Sequence, residues 1–427
     1  MSSMENKIKE SKKPTSAFLH GIKNASYMGM GNVVSQAIAV VGFIFIARLF
    51  GPEKYGVYAT VIAFVTFFHL FVLQGLSKVI VREGSKKIDS FRDTLEDAVG
   101  FRLIFIIITF LLCIVACFFT KYPVTTKVLI IIFSTEIIYF GLDSYLSTIY
   151  QTTEKMQYLA YFSVLTRILA TGFSILFLYM KAGVLIILLV NLISKFSVLV
   201  INYSCSRKLV KFKFGFGFDL SSDILKAVLI FSLMGFINTL AIRIDLLMIS
   251  FLSTSTDVGI YGVAHEIGKE GLMLRNIIAT AFFPIAVKFL YSNTIKIKKL
   301  FFYSLMLFLV VVAGCVLLSF FVQDLVVLVF GMEYSYSGYI LKYLVFYLAF
   351  AFFTLPLTTY LQAAHYEHLL LIVYTITALT NIPLNIIFFH KFGLIGIAYS
   401  TLIVFFVQSL LISFFAIKKM SKQRVLT

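Results

Sequence analysis

The chain is a succession of long apolar segments, each near the length that crosses a bilayer, joined by connections too short for a folded domain. They lie near 24–47, 57–77, 98–120, 128–150, 158–180 and 183–204, then near 226–252, 259–286, 300–322, 339–361, 369–389 and 394–417. In hydrocarbon each backbone N–H and C=O must be satisfied within its own segment, so these twelve segments predict α-helices. Of the 427 residues 60% are hydrophobic and 13% charged, whereas a soluble domain carries about 25% charged residues. A soluble enzyme, a disordered chain and an ordinary DNA-binding protein are excluded. The expectation is an all-α integral membrane protein.

The basic residues set orientation. The outer connections hold only Arg48, Lys54, Lys121, Lys127, Lys181 and Lys391, while most of the 37 Lys and Arg fall in the tails and inner connections, with Arg102, at the inner end of the third span, counted among them. That bias places both termini in the cytoplasm. Although the net charge is +17, the basic residues are spread over loops beside anionic headgroups, so they do not read as a nucleic-acid surface. The first apolar stretch is too long for a signal-peptide core and has no small-x-small cleavage site, so an uncleaved helix is expected. The largest outer connection, 323–338, is partly apolar and is expected at the interface. Cys113, Cys117, Cys205 and Cys315 read as packing residues, since no small extramembrane module calls for a disulfide framework.

Twelve spans with a basic linker after the sixth suggest two six-helix lobes: 1–204, a cytoplasmic linker 205–223, and 224–427. Short matches recur at equivalent points of the two halves. Gly56-Val57-Tyr58 answers to Gly259-Ile260-Tyr261, Leu146-Ser147-Thr148 to Leu357-Thr358-Thr359, and Lys181-Ala182-Gly183 to Lys391-Phe392-Gly393. Both halves start inside, so the repeat is parallel. Transporters built this way bind substrate between the halves and alternate access by rocking them.

Eleven ionisable residues remain inside spans: Arg167, Lys195, Arg243, Lys269, Arg275 and Lys342, with Glu136, Asp143, Asp245, Glu266 and Glu270. Each charge facing lipid at mid-bilayer costs about 3 kcal/mol on insertion scales, so most of them must pair, snorkel or line a polar cavity. Glu136 and Asp143, seven apart, share one face of the fourth helix, and Asn32 and Gln36 share a face of the first. His265 with Lys269 and Glu266 with Glu270 form a polar arc on the eighth. Snorkelling is the alternative for Lys342 and Arg275, and helix-to-helix salt bridges for Glu266 and Glu270.

Enzyme signatures are absent. His265-Glu266 lacks the second histidine of a zinc-protease helix, since Lys269 stands in its place. His365, Glu367 and His368 fit an ordinary solvated loop. Gly29-Met30-Gly31 follows no strand and reads as close helix packing or a bend. With no Walker A lysine, any driving force must come from an ion gradient or a partner.

Ala47-Arg48-Leu49-Phe50-Gly51-Pro52-Glu53-Lys54-Tyr55-Gly56-Val57-Tyr58 resembles the loop after the first helix in bacterial polysaccharide repeat-unit flippases of the multidrug/oligosaccharidyl-lipid/polysaccharide exporter superfamily. Gln74-Gly75-Leu76-Ser77 with Val81-Arg82-Glu83 resembles the end of their second helix. Arg243-Ile244-Asp245 with Val258-Gly259-Ile260-Tyr261 resembles the start of their second half. The resemblance implies two six-helix lobes around a central cavity and a cargo of undecaprenyl-diphosphate-linked oligosaccharide. It implies movement from the inner to the outer leaflet of the bacterial plasma membrane, and no catalysis. The coupling would be to a proton or sodium gradient, with no bound cofactor. The setting would be synthesis of O-antigen, lipopolysaccharide or capsule, with a polymerase and a chain-length regulator as partners beside membrane lipids.

On this expectation Arg48, Arg167, Lys195, Arg243, Lys269, Arg275, Asn32 and Gln36 bind substrate, and Asp245, Glu136, Asp143, Glu266 and Glu270 couple the ion. Arg48, Arg82 and Asp245 match family motifs; the others follow from depth in the membrane. The near balance of intramembrane charge suggests a zwitterionic or amino-bearing repeat unit. The rival readings are an organic-cation exporter of the same superfamily and, from another class, a polysaccharide polymerase or ligase. The absence of a large outer loop counts against the latter.

Overall fold

The computed structural model describes residues 14–86, 91–210, 222–291 and 297–423, with most side chains from Tyr27 onward. The basic N-terminal tail and most of the basic linker (211–221) lie outside the described residues. In the first half the helices are α1 (Pro14–Phe68), α2 (Gln74–Lys86), α3 (Phe91–Phe118), α4 (Val124–Phe133), α5 (Glu136–Thr152), α6 (Met156–Tyr179) and α7 (Val184–Leu209). The second half holds α8 (Ser222–Leu252), α9 (Ser255–Tyr291), α10 (Ile297–Phe330), α11 (Ser335–Leu344), α12 (Tyr347–Phe353), α13 (Leu355–Ala363), α14 (Glu367–Phe392) and α15 (Leu394–Gln423). No strand occurs among the described residues.

Nine stretches of the described residues are long and apolar enough to cross a membrane. The first, Tyr27–Phe71, runs for 45 residues and contains two expected spans. Gly51, at φ 69°, breaks the helix between them, and Pro52 follows. That left-handed conformation suits a residue without Cβ. Met332–Ala363 is likewise one span made of short helices. The protein is a multi-pass membrane protein. Its outward face agrees: Ile107, Leu111, Val115 and Phe118, on one side of α3, are all more than half exposed.

Three expectations are corrected. The second span was expected to reach residue 77, but helix gives way to a 3-10 turn at His69–Phe71 and Leu73 turns left-handed, at φ 49°. A separate amphipathic helix, α2, then begins. Hydropathy could not show the break because Leu70 through Leu73 are all apolar.

Arg102, expected in an inner connection, lies in α3 with no exposed surface. It donates to the Val72 and Leu73 carbonyls at 2.7 and 3.3 Å and to the Ser77 hydroxyl, so it holds the broken helix end. The outer connection 323–338 is mostly helix. α10 continues to Phe330, and the turn is confined to Gly331, at φ 107°, and a 3-10 turn at Met332–Tyr334.

By packing, the chain forms two compact units. One comprises 1–46 and 64–235, the other 47–63 and 236–427. The first unit gathers Leu76, Val79 and Ile80 of α2 with Leu95, Ala98 and Val99 of α3 and with Tyr145 and Ile149 of α5. The Tyr145 hydroxyl, buried in that cluster, donates to the Leu95 carbonyl at 2.8 Å. The second unit packs Leu357 and Leu361 of α13 against Leu370 and Val373 of α14 and Ile412 of α15.

Within the second unit the two glycines of the internal repeat meet. A Cβ on Gly56 would lie 1.6 Å from the Ser255 carbonyl oxygen, and one on Gly259 would lie 2.0 Å from that of Pro52. Lipid tails are as apolar as leucine, so helices associate through such close approach rather than by escaping solvent. Gly56→Ala and Gly259→Ala are each expected to destabilise the protein by about 1–3 kcal/mol through overpacking. Because one separation of the helices relieves both clashes, the double variant should lose less than the sum in a thermal melt of the purified protein.

Candidate substrate cavity and ion sites

In the first unit α5 and α7 face each other through two polar rungs. The break at Ser134 and Thr135, whose hydroxyls bond back to Ile131 and Ile132 carbonyls at 2.6 and 2.9 Å, sets Glu136 in the first turn of α5. There Glu136, 3% exposed, receives Lys195 Nζ of α7 at 2.8 Å and Nε2 of His69 from the 3-10 turn. A carboxylate can only accept, so His69 carries its proton on Nε2. The imidazole is stacked on Phe140 at 4.0 Å, and Lys195 Nζ also lies 5.5 Å from the Tyr139 ring centroid.

Two turns along, Asp143 Oδ1 accepts from Asn202 Nδ2 of α7 at 3.0 Å. Beside these rungs is a cavity of about 400 Å³. Polar stripes of α1 (Asn32), α5 (Tyr139, Asp143, Ser147, Gln151), α6 (Ser163, Thr166, Arg167) and α7 (Asn191, Lys195, Asn202) line it, together with apolar Met28, Leu159, Ala160, Phe162 and Ala170. Arg167 makes no hydrogen bond or ion pair among the described residues. α1 reaches α6 through Gly31, whose Cβ would lie 2.4 Å from Ala160 Cβ, and through the Ser163–Ser35 hydroxyl pair at 3.0 Å.

The second unit holds two separate clusters. Glu266 of α9 accepts from Arg243 of α8 at 3.1 Å and from Lys269 one turn along its own helix. Asp245, two residues from Arg243, points elsewhere and is 5% exposed. Its oxygens accept from Asn381 and Asn385 Nδ2 of α14 at 2.9 and 2.7 Å, from the Thr401 hydroxyl of α15 at 3.0 Å, and from the Tyr261 hydroxyl of α9 at 3.4 Å. All four partners are neutral.

Two further arginines serve helix ends. Arg48 donates to the Leu328 and Val329 carbonyls in the last turn of α10 at 3.2 and 3.0 Å. Arg275 of α9 donates to the Ala351 carbonyl near the end of α12 at 2.8 Å and to the Thr358 hydroxyl at 3.1 Å. Cations satisfy the orphan carbonyls of helix C-termini and complement their partial negative charge.

The structure thus joins Glu136 to Lys195, and Glu266 to both Arg243 and Lys269. It brings Asn32, Asp143, Arg167 and Lys195 to one cavity. Gln36 is half-buried one turn beyond Asn32 and is not among the cavity residues. Glu270 is half-buried beside Lys269. Sequence reasoning missed His69, Asn191, Asn202, Asn381, Asn385 and Thr401. The available signal was a neutral polar side chain on a helix face already carrying a charge: Asn191, Lys195 and Asn202 at intervals of four and seven, and Asn381 with Asn385 at four.

This arrangement is the fold of the MOP superfamily transporters. The chain is similar to the lipid II flippase MurJ in an inward closed conformation, at 20% identity over 91% of this chain and 86% of that one, TM-score 0.73. It is similar to an inward-facing multidrug resistance MATE family transporter of that superfamily, at 16% identity over 91% and 95%, TM-score 0.71. A third likeness is to a MOP superfamily transporter from Pyrococcus furiosus described as having a binding pocket of reversed polarity. There identity is 16% over 94% and 95%, TM-score 0.63. Comparison with curated protein sequences gives no match.

The model of the family described as polysaccharide biosynthesis protein matches residues 22–290, and the chain belongs to that family. The motif resemblance is thereby upheld, and the fold is that of transporters, not of enzymes.

Breaking the Glu136 rung tests its role in the fold. Lys195→Met leaves a buried carboxylate short of its cation and is expected to cost on the order of 3 kcal/mol in thermal stability. The E136Q/K195M double variant, with no net charge to bury, should recover most of that loss.

Proposed function

We propose that this protein is a flippase that carries an undecaprenyl-diphosphate-linked oligosaccharide repeat unit from the inner to the outer leaflet of the bacterial plasma membrane. The observation that carries the reading is the polar cavity of about 400 Å³ within an apolar, membrane-spanning helical unit. A sugar chain cannot cross hydrocarbon alone, because each polar group left without a partner costs several kcal/mol. A cavity of hydroxyls, amides and charged groups replaces that hydration while the polyprenyl tail stays in the bilayer. Membership of the polysaccharide biosynthesis family and the fold shared with a lipid II flippase support this cargo class.

The unit then serves a surface polysaccharide of the O-antigen or capsule type, handed on to a polymerase with its chain-length regulator. Both termini lie in the cytoplasm, as the charge bias of the loops requires. The protein works as two lobes, 1–204 and 224–427, joined by the basic linker. Within the first unit substrate contacts come from Arg167 and Asn32 on the cavity wall; Lys195, Arg243 and Lys269 are engaged in salt bridges and Arg48 and Arg275 hold helix ends.

A proton or sodium gradient drives the cycle, and Asp245 is the coupling group. The donor set around Asp245 fits a small hard cation: two carboxylate oxygens, the Thr401 and Tyr261 hydroxyls, and Asn381 Oδ1, which is buried without a hydrogen-bond partner. A ligand that binds one of two states better shifts the balance between them, which is what coupling requires.

Deleting the gene in its host should make complete lipid-linked repeat units accumulate on the cytoplasmic side and surface polymer disappear. Unchanged pools of both would remove the flippase reading and turn attention to small organic cations. In proteoliposomes Asp245→Asn should cut the response of transport to an imposed sodium or proton gradient by about tenfold or more. A full response at normal protein level would exclude Asp245 as the coupling group.

A further inference from the structure

We infer that the cavity of the first unit reads a zwitterionic sugar, with an amino group at Asp143 and an acidic group at Arg167. This deepens the flippase reading and rests on it.

The cavity has two poles of different chemistry. At the α5–α7 pole, Asp143 has one hydrogen bond to one of its oxygens, from neutral Asn202. Asn202, 1% exposed, spends its amide N–H on Asp143 and its own Oδ1 has no partner. Asn191 Oδ1, farther along the same face of α7, is also buried and unpartnered. Acceptors left in this state cost about 1–3 kcal/mol each until a donor arrives. They call for N–H and O–H groups. A diphosphate at neutral pH has none to give, so this pole does not hold the phosphates of the carrier. An ammonium or a hydroxyl-bearing ring answers it.

The other pole is Arg167 of α6, a guanidinium with no hydrogen bond or ion pair among the described residues, set beside Ser163 and Thr166. An oxyanion is its natural partner, since a guanidinium offers two parallel N–H donors to a carboxylate or a phosphate, and a carboxamide derivative of the sugar acid distinguishes the two. Lys195, the other cation of the cavity, is already held by Glu136, so it adds little net positive charge. The cavity is therefore one carboxylate against one guanidinium, not a cationic basin. Tyr139, Asp143, Ser147 and Gln151 recur every fourth residue and make a polar stripe about 18 Å long on α5, suited to an extended saccharide rather than a compact cation. Sites built on buried hydrogen-bonding groups discriminate sharply, because the wrong ligand leaves those groups unpaired.

The test uses the full chain in proteoliposomes and three undecaprenyl-diphosphate disaccharides. One bears a free amino group and a uronic acid carboxylate, the second is its N-acetyl derivative, and the third its carboxamide. Flipping is read as accessibility of the sugar to an added glycosidase. The wild type should move the zwitterion at least about tenfold faster than either derivative, within the range of such discrimination.

Asp143→Asn should bring the ratio of zwitterion to N-acetyl rates close to one while the ratio to the carboxamide persists. Arg167→Gln should do the converse. Asp143→Ser serves as the second variant if the first does not fold, judged by its melting profile. Equal rates for all three disaccharides in the wild type, or ratios unmoved by the variants, overturn the proposal and leave the flippase reading intact. If no disaccharide moves, the flippase reading falls and takes this one with it.

Discussion

A membrane helix that breaks releases carbonyl groups where no water can reach them, and this chain answers with guanidinium groups. Arg102 takes the carbonyls of Val72 and Leu73 where the second span ends, Arg48 those of Leu328 and Val329 at the end of α10, and Arg275 that of Ala351 near the end of α12. Each arginine satisfies a helix C-terminus from a different helix, so each also ties two elements together. Breaks are needed because a site at membrane depth must expose polar groups that an unbroken apolar helix would bury. The break after Phe71 presents His69, and the break at Ser134 and Thr135 presents Glu136. The charged rung Glu136–Lys195–His69 therefore depends on irregular backbone that the arginines and hydroxyls make tolerable.

The intramembrane charges divide into three kinds of use. Some neutralise one another, as Glu136 does with Lys195 and Glu266 with Arg243 and Lys269. Some bind backbone. Asp143, Arg167 and Asp245 have neither a cation nor an anion as hydrogen-bond partner, and they stand among amides and hydroxyls. A charge held by neutral dipoles keeps its capacity to meet a ligand, whereas one locked in a salt bridge has already met its partner. That is the physical reason to place cargo at Asp143 and Arg167 and ion coupling at Asp245.

Most of the architecture was legible in the sequence. Helix type and the approximate placement of the spans follow from hydrophobic run lengths, and the depth of Glu136, Asp143 and Asp245 was plain from the apolar residues around them. What hydropathy could not reveal was how α1 is broken and where the second span ends, since Leu70 through Leu73 remain apolar through the break. It also misplaced Arg102, a basic residue near a span end that looked solvated yet is wholly buried. The family motifs around Gly56 and Gly259 were visible as strings of residues. Their physical role, two glycines letting backbones approach within the reach of one missing Cβ, was not. Of the candidate site, the formal charges were found and the asparagines were overlooked, because a search for costly charges passes over neutral amides that bind them.

The sequence by itself determined that this protein lives in the bilayer as a bundle of α-helices with charged residues at depth. Transfer free energy acts residue by residue and leaves its mark in order along the chain. Only the tertiary structure decided which charges cancel, which hold backbone and which stand open. Those outcomes depend on side chains from helices far apart in sequence, such as Asp245 with Thr401 or Arg48 with Val329, meeting within hydrogen-bond distance. A one-dimensional pattern carries the cost of a buried charge, but the partner that offsets it is a matter of three-dimensional proximity.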